Sequence, residues 1–379
     1  MPWEAKTVKE KRIEFVQAVE AHQESVSALC RRYGISRKTG YKWLNRARDG
    51  HPLSDESRRP DRQPSKTSPE VEQVILEMRR SNPAWGGKKI RDALESAGLE
   101  GLPSARTCGN ILKRNGCIDP LESLKHKPCQ RFEREECNQL WQMDFKGAFP
   151  LEDGSDCFSF DVLDDHSRFC LSSEAKPDTK GTKTSLLKLF RDYGLPDAIL
   201  SDNGAQFAGF GGGYAQVERM LMDLDIEPIH GRIKHPQTQG KIERFHRTMK
   251  AEALRQMPKD LADARRVLEE FRFRYNELRP HYALGGKTPA AVYRPSERQL
   301  PEKIEPFDYP ADARMTKINS WGYLRFGPVQ LYLSETMKDT YMEVRPSEND
   351  TFLLIYRNFK IAAVDAKEGK LLNRRIRRL

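Results

Sequence analysis

The sequence lacks any apolar run long enough to cross a bilayer. Its mean hydropathy is -0.75, and no window approaches the roughly eighteen uninterrupted apolar residues of a membrane span. The opening "MPWEAKTVKEKRIEF" also lacks the apolar segment of a secretory signal. A cytoplasmic protein with no membrane partner is expected. Cysteine is sparse as well: seven residues, an odd number without regular spacing, rule against a disulfide framework and fit reduced thiols. Cys117, His126, Cys129 and Cys137 form the one cluster, and their spacing matches no zinc-binding template. Ordinary unpaired cysteines are the expectation.

Acid is in deficit, and unevenly so. Of the net charge of +10, residues 1–130 contribute most, with 25 Lys and Arg against 17 Asp and Glu; residues 31–50 alone hold seven basic residues and one acid. Such concentration favours a polyanion, because each cation placed on a phosphate releases condensed counterions. In "ESVSALCRRYGISRKTGYKWLNRARDG" a helix with Val26 and Leu29 on its apolar stripe breaks at Gly34, and Ser36 is a good N-cap for a second helix burying Trp43 and Leu44. Arg37, Lys38, Lys42, Arg46 and Arg48 occupy the other side of that helix, the pattern of a helix-turn-helix with a recognition helix. A weaker copy follows 68 positions on, where Ser104, Arg106, Thr107, Ile111 and Leu112 take the places of Ser36, Lys38, Thr39, Trp43 and Leu44. Double-stranded DNA is the expected partner, with Arg37, Lys38, Lys42, Arg46 and Arg106 as candidate contacts.

From about residue 137 the pattern changes to alternating strands and helices. "LWQMDFKGAF", "CFSFDVLDDHSRF" and "CLSSEAKP" read as three antiparallel strands. A helix over 179–193, the strand "DAILSDNGAQF", a helix in "YAQVERMLMDLD", the strand "IEPIHG" and a long helix through "QTQGKIERFHRTMKAEALRQ" follow. The layout predicts an α/β core with a mixed five-stranded sheet. Three carboxylates stand where packing alone would not put them: Asp144 inside the first strand, Asp202 at the end of the fourth, Glu243 one turn into the long helix. Strand ends of α/β sheets gather sites, and converging acids repel one another unless divalent cations neutralise them. Hard oxygen ligands suit Mg²⁺ or Mn²⁺. Two such ions, roughly 4 Å apart, hold the attacking and leaving oxygens of a phosphodiester in line. Asp164 and Asp165 in "LDDHSRF" are rival carboxylates that a turn requires in any case.

The strings "MDFKG", "LSDNGAQF", "HPQTQGKIERFHRTMK" and "YNELRPHYALGGKTPAAVY", in that order across residues 143–293, resemble the integrase-type DDE transposases of bacterial insertion sequences, relatives of retroviral integrases with a ribonuclease H-like core. The resemblance puts the family's triad on Asp144, Asp202 and Glu243. It implies cleavage of DNA at a transposon end by metal-activated water, then attack of the freed 3′-hydroxyl on target DNA, with no covalent enzyme intermediate and no nucleotide energy source. Asp202 and Glu243 are separated by 40 residues, more than is usual in the family, and the glycine-rich "AGFGGGYAQ" accommodates the surplus. Asn203, Lys241, Arg244 and Arg247 are candidate DNA contacts, His246 a candidate assistant, and Gln237 and Gln239 candidates for ordering the substrate strand.

The expected architecture is multidomain. Helix-turn-helix modules at 1–50 and 69–118 are joined by a linker at 51–68. A connector at 119–136 leads to the catalytic core at 137–260, a helical extension at 261–310 and a small β-barrel with a basic tail at 311–379. At least a dimer is expected, since two DNA ends must be joined. A catalytically silent DNA-binding regulator and a metal-dependent nuclease without joining activity are the alternatives.

Overall fold

The computed structural model describes residues 7–55, 67–118, 133–204, 206–209, 213–231, 240–348, 350–372 and 375–379. His126, Cys129, Gln237 and Gln239 lie outside them, as does part of the glycine-rich loop. The chain divides into two compact units, residues 1–66 and 67–379.

The first unit is three helices: α1 (Val8–Glu20), α2 (Val26–Arg32) and α3 (Arg37–Arg48). Each begins at a hydroxyl cap. Thr7 forms a capping box with Glu10, and Ser25 and Ser36 accept from the backbone amides of Ala28 and Thr39. Phe15, Val16, Leu29 and Cys30 make the core. Gly40 lets α3 approach: a Cβ there would stand 2.5 Å from Cys30 Sγ. Trp43 is buried, with the Arg12 guanidinium 3.8 Å from its ring centre.

The second unit opens with α4 (Pro69–Ser81), α5 (Gly87–Ser96) and α6 (Ala105–Arg114) around Ile75, Trp85, Ile90, Leu94 and Ile111. Ser104 caps α6 through the amide and hydroxyl of Thr107 at 3.1 and 2.9 Å, the arrangement and distances that Ser36 makes with Thr39. The repeat seen in the sequence is therefore a repeat of helix-start geometry.

The core follows as β1 (Trp141–Pro150), β2 (Asp156–Asp164), β3 (Cys170–Lys176), α7 (Thr182–Tyr193), β4 (Ala198–Ser201), α8 (Gln216–Asp223), β5 (Glu227–His230), α9 (Gly240–Glu252) and α10 (Leu261–Phe273). Its sheet has the order β3-β2-β1-β4-β5. The first three strands are antiparallel neighbours, and β1-β4 and β4-β5 are parallel. One face, through Trp141, Met143, Phe160 and Val162, packs on α7 and α8 by Leu186, Phe190, Val217 and Leu221. The other packs on α9 and α10 through Leu163, Cys170, Ile242, Phe245 and Phe271. Strand alternation thus turns Gln142 and Asp144 toward α9. A π-helical turn, Arg274–Leu278, continues α10 and places Asn276 to bond both the amide and the carbonyl of Cys170 at 2.8 and 2.9 Å.

After the short α11 (Pro289–Val292) the chain turns to β structure: β6 (Met315–Lys317), β7 (Tyr323–Phe326), β8 (Val329–Tyr332), β9 (Tyr341–Pro346), β10 (Thr351–Tyr356), β11 (Phe359–Asp365), β12 (Lys370–Leu372) and β13 (Arg377–Arg378). Where a small barrel is expected, the pairing is an open antiparallel path, β12-β11-β10-β9-β6, with β13 added to β11 and a separate β7-β8 ribbon. The core here is largely aliphatic, and it takes in Tyr214 and Met222 from the α/β layer. Trp321, the tryptophan of this region, is 74% exposed.

Candidate active site and nucleic-acid-facing surfaces

Asp144 lies mid-strand on β1, directly opposite Asp161 of β2. Asp161 is fully buried, and two groups hold it. Ser159, two residues earlier on the same face, donates its hydroxyl at 2.8 Å, and His246 Nε2 of α9 lies 2.8 Å from the other carboxylate oxygen. The remaining ring nitrogen, Nδ1, is 3.9 Å from Asp144. One imidazole therefore stands between two carboxylates. Burial pushes the Asp144 carboxyl up to about 6; His246 opposes the rise, and the charges of Asp202 and Asp161 add to it.

Asp202 follows β4 and turns back to accept the amide of Gly204 at 2.9 Å. Behind it, His230 of β5 bonds the buried Glu218 of α8 at 2.9 Å, while Glu218 also accepts the amides of Gly209 and Ala215. Burial pulls His230 down, but the bond and charge of Glu218 outweigh it and hold the imidazole above its ordinary value. The ends of β4 and β5 are tied further by Asn203, whose amide nitrogen donates to the Gly231 carbonyl at 2.9 Å.

Glu243 occupies the first turn of α9 and is exposed. Among the described residues no three His, Cys, Asp or Glu side chains are gathered tightly enough to hold an ion. Asp144 and Asp202 act on each other electrostatically. The pair nonetheless fits a hard divalent cation, since both donors are carboxylate oxygens and one has its pKa raised by burial and by the neighbouring acids.

The rival acids serve the scaffold. Asp164 accepts the amides of Asn138 and Ser167 and the Ser167 hydroxyl, and burial still leaves its carboxyl above the usual range. Asp165, fully buried, accepts from Gln142 and the amide of Arg134 and holds Lys241 Nζ at 2.5 Å. Lys241, expected to meet phosphate, thus has its charge engaged inside the protein. Arg244 and Arg247 are exposed on α9, as are Arg37, Lys38 and Lys42 on α3 and Arg106 on α6. Arg46 is half-buried against Trp43 and bonds the Ser54 carbonyl.

Asp161 and the pair Glu218–His230 escaped the sequence reading. Asp161 carried one usable signal, a strand acid in step with Ser159 rather than at a turn.

Residues 134–236 and 224–289 match the integrase core domain, residues 11–60 a helix-turn-helix domain and residues 39–112 a homeodomain-like domain. The InsD transposase of insertion element IS2-9 from Escherichia coli is 26% identical over 302 residues, 75% of this chain and 94% of that one. An uncharacterized protein of Caenorhabditis elegans is 29% identical over 152 residues, 40% of this chain but only 11% of that protein. The catalytic core domain of HTLV-2 integrase, solved with magnesium, aligns at 19% identity and a TM-score of 0.33, over 42% of this chain and 97% of that one. By its domain matches the chain carries an integrase core domain and helix-turn-helix domains, and it is distantly similar to the InsD transposases.

Proposed function

We propose that the protein binds the terminal inverted repeats of its own element, cleaves the 3′ ends and joins them to target DNA. The observation that carries this reading is Asp144, a carboxyl set mid-strand against the buried Asp161 and within the field of Asp202, with its pKa near 6. Burial beside other acids costs stability until a cation offsets it. Asp144 and Asp202 would hold Mg²⁺ or Mn²⁺, with Glu243 as the third ligand. Bound as a pair, such ions supply charge neutralisation and activation of the attacking oxygen.

The chain's own residues do the positioning. Asp161 and His246 fix the edge of the site on the sheet, and the Asp202 turn is braced by its bond to Gly204 and by Asn203 behind it. The basic faces of α3 and α6 would read and grip DNA, with Arg244 and Arg247 on phosphates nearer the acids. The C-terminal sheets, with the basic tail, would serve DNA binding or self-association, and joining two ends calls for at least a dimer.

The test uses a duplex bearing the element's own terminus. Asp144→Asn, Asp202→Asn and Glu243→Gln are each expected to abolish Mg²⁺-dependent cleavage while duplex affinity stays within about threefold of wild type. Cleavage surviving in any one of them removes that residue from the metal set. Pre-cut ends then separate the alternatives, since cleavage without joined product would point to a nuclease and binding without chemistry to a regulator.

A further inference from the structure

The seam between α5 and the integrase core gathers cations without matching acids. Lys88 Nζ sits 4.4 Å from the ring centre of the exposed Tyr282, and Lys89 Nζ lies 6.0 Å from the same ring. The preceding residue, His281, stacks edge-on against Tyr275 at 4.8 Å, and its Nε2 is buried with no hydrogen-bond partner. Arg279 is close by and ion-pairs with Glu252 at 3.1 Å. Arg244, exposed on α9, adds its field to both Lys89 and His281. Asp92, which reaches the same loop, is ion-paired with Arg91 at 3.7 Å. Among the described residues neither Lys88, Lys89 nor Arg244 has an ion pair.

Such a cluster is expensive in the free protein. Burial and then the charge of Arg279 pull the Lys89 ammonium down to about 7, Glu252 opposing. Burial, followed by Arg279, Lys89, Arg168 and Arg244, pushes His281 down to about 2. Charged side chains crowded at this density fit an anion that arrives from outside. No side chain caps the start of α5, where Lys88 and Lys89 sit in the first turn, so that helix end favours negative charge too. The site is open at Lys88, Tyr282 and Arg244, which suits a continuous backbone better than an enclosed small ion. In a helix-turn-helix the helix before the recognition helix crosses the DNA backbone, and α5 holds that place before α6.

The geometry points to a phosphodiester-binding site formed by Lys88, Lys89, Arg244, Arg279 and the unpartnered imidazole of His281, which clamps the backbone of duplex DNA where it passes from the second helical module toward the acids. This inference rests on the DNA-processing function proposed above. The clamp would join the element that grips DNA to α9, where Arg244 directly follows Glu243.

The test titrates the full-length chain with a mixed-sequence duplex across salt from about 50 to about 200 mM. For Lys88→Gln/Lys89→Gln the slope of log affinity against log salt should shrink by about 1.8, as expected when two phosphates are no longer neutralised. Lys88→Arg/Lys89→Arg should restore it, and matching thermal unfolding would show both variants folded. An unchanged slope in the folded Gln variant overturns the site. So does stabilisation of the wild type by inorganic phosphate, absent in that variant, alongside an unchanged duplex slope, because that pattern belongs to a small anion. A wild type that binds duplex with this salt signature yet never cleaves with Mg²⁺ would sink the proposed function and leave the clamp standing.

Discussion

Asp144 and Asp161 face each other across the β1–β2 ladder with His246 between them, 2.8 Å from one carboxylate and 3.9 Å from the other. Asp161 is the buried member and makes the short bonds, so it orients the ring that in turn borders Asp144. The pair should therefore be coupled. Asp161→Ala and His246→Ala are each expected to lower unfolding free energy by about 1–3 kcal/mol, and the double variant by less than their sum, with a coupling of at least about 0.5 kcal/mol. Urea denaturation in EDTA measures all four corners of the cycle. Strict additivity would mean that the bond contributes nothing.

Asp144 sets a pH dependence whose sign follows from its shift, from 3.8 up to about 6. The folded chain keeps this proton after the unfolded chain has lost it, so stability falls as pH climbs from about 4 to about 6 and the loss persists above. In EDTA at neutral pH, Asp144→Asn should then be the more stable protein, by on the order of 2–3 kcal/mol at most. The advantage should vanish below about pH 4. Mg²⁺ should stabilise the wild type and leave Asp144→Asn nearly unmoved. Denaturation midpoints over pH, with and without Mg²⁺, check both statements. A wild type indifferent to Mg²⁺ at pH 7 would contradict them.

What could be read from the sequence was local. Ser36 and Ser104 announce helix starts because a cap bonds residues three positions away, and both caps form. Asp144 stood out because it interrupts an apolar alternation. The partner across the ladder did not, because the Asp144–Asp161 register arises from the pairing of whole strands, with a bulge between Lys146 and Phe149. Lys241 misled for the same reason: helical spacing groups it with Arg244, but Asp165, 76 residues earlier, captures its ammonium. Closure of the C-terminal strands depends on whether β12 and β6, the ends of the path, ever meet. No local pattern encodes that.

The capture of Lys241 separates it from its neighbours in a measurable way. Lys241→Met removes the cation from a fully buried carboxylate and should destabilise the protein by about 3–5 kcal/mol, with little change in the salt dependence of duplex binding. Arg247→Gln, at an exposed position of α9, should do the reverse: stability within about 0.5 kcal/mol of wild type and a salt slope smaller by about 0.9. Thermal unfolding and duplex titration on the same two variants decide it. A Lys241→Met protein as stable as wild type would show the ion pair to be dispensable.

Gly40 tests the packing that holds the first recognition helix. Ordinarily Gly→Ala inside a helix gains about 1 kcal/mol. Here the added Cβ would lie 2.5 Å from Cys30 Sγ and 3.0 Å from the Phe15 ring, both buried, so α3 must move away from α2. Overpacking of this kind costs about 1–3 kcal/mol, and Gly40→Ala should end less stable despite its better helix propensity. Cys30→Ala removes the atom in closest conflict, so Gly40→Ala combined with Cys30→Ala should be more stable than the sum of the two single changes predicts. Amide hydrogen exchange along α3 follows the stability of this unit. Gly40→Ala matching or exceeding wild-type stability would show that α2 and α3 do not need their close approach, and the geometry that presents Arg37, Lys38 and Lys42 would then owe nothing to that glycine.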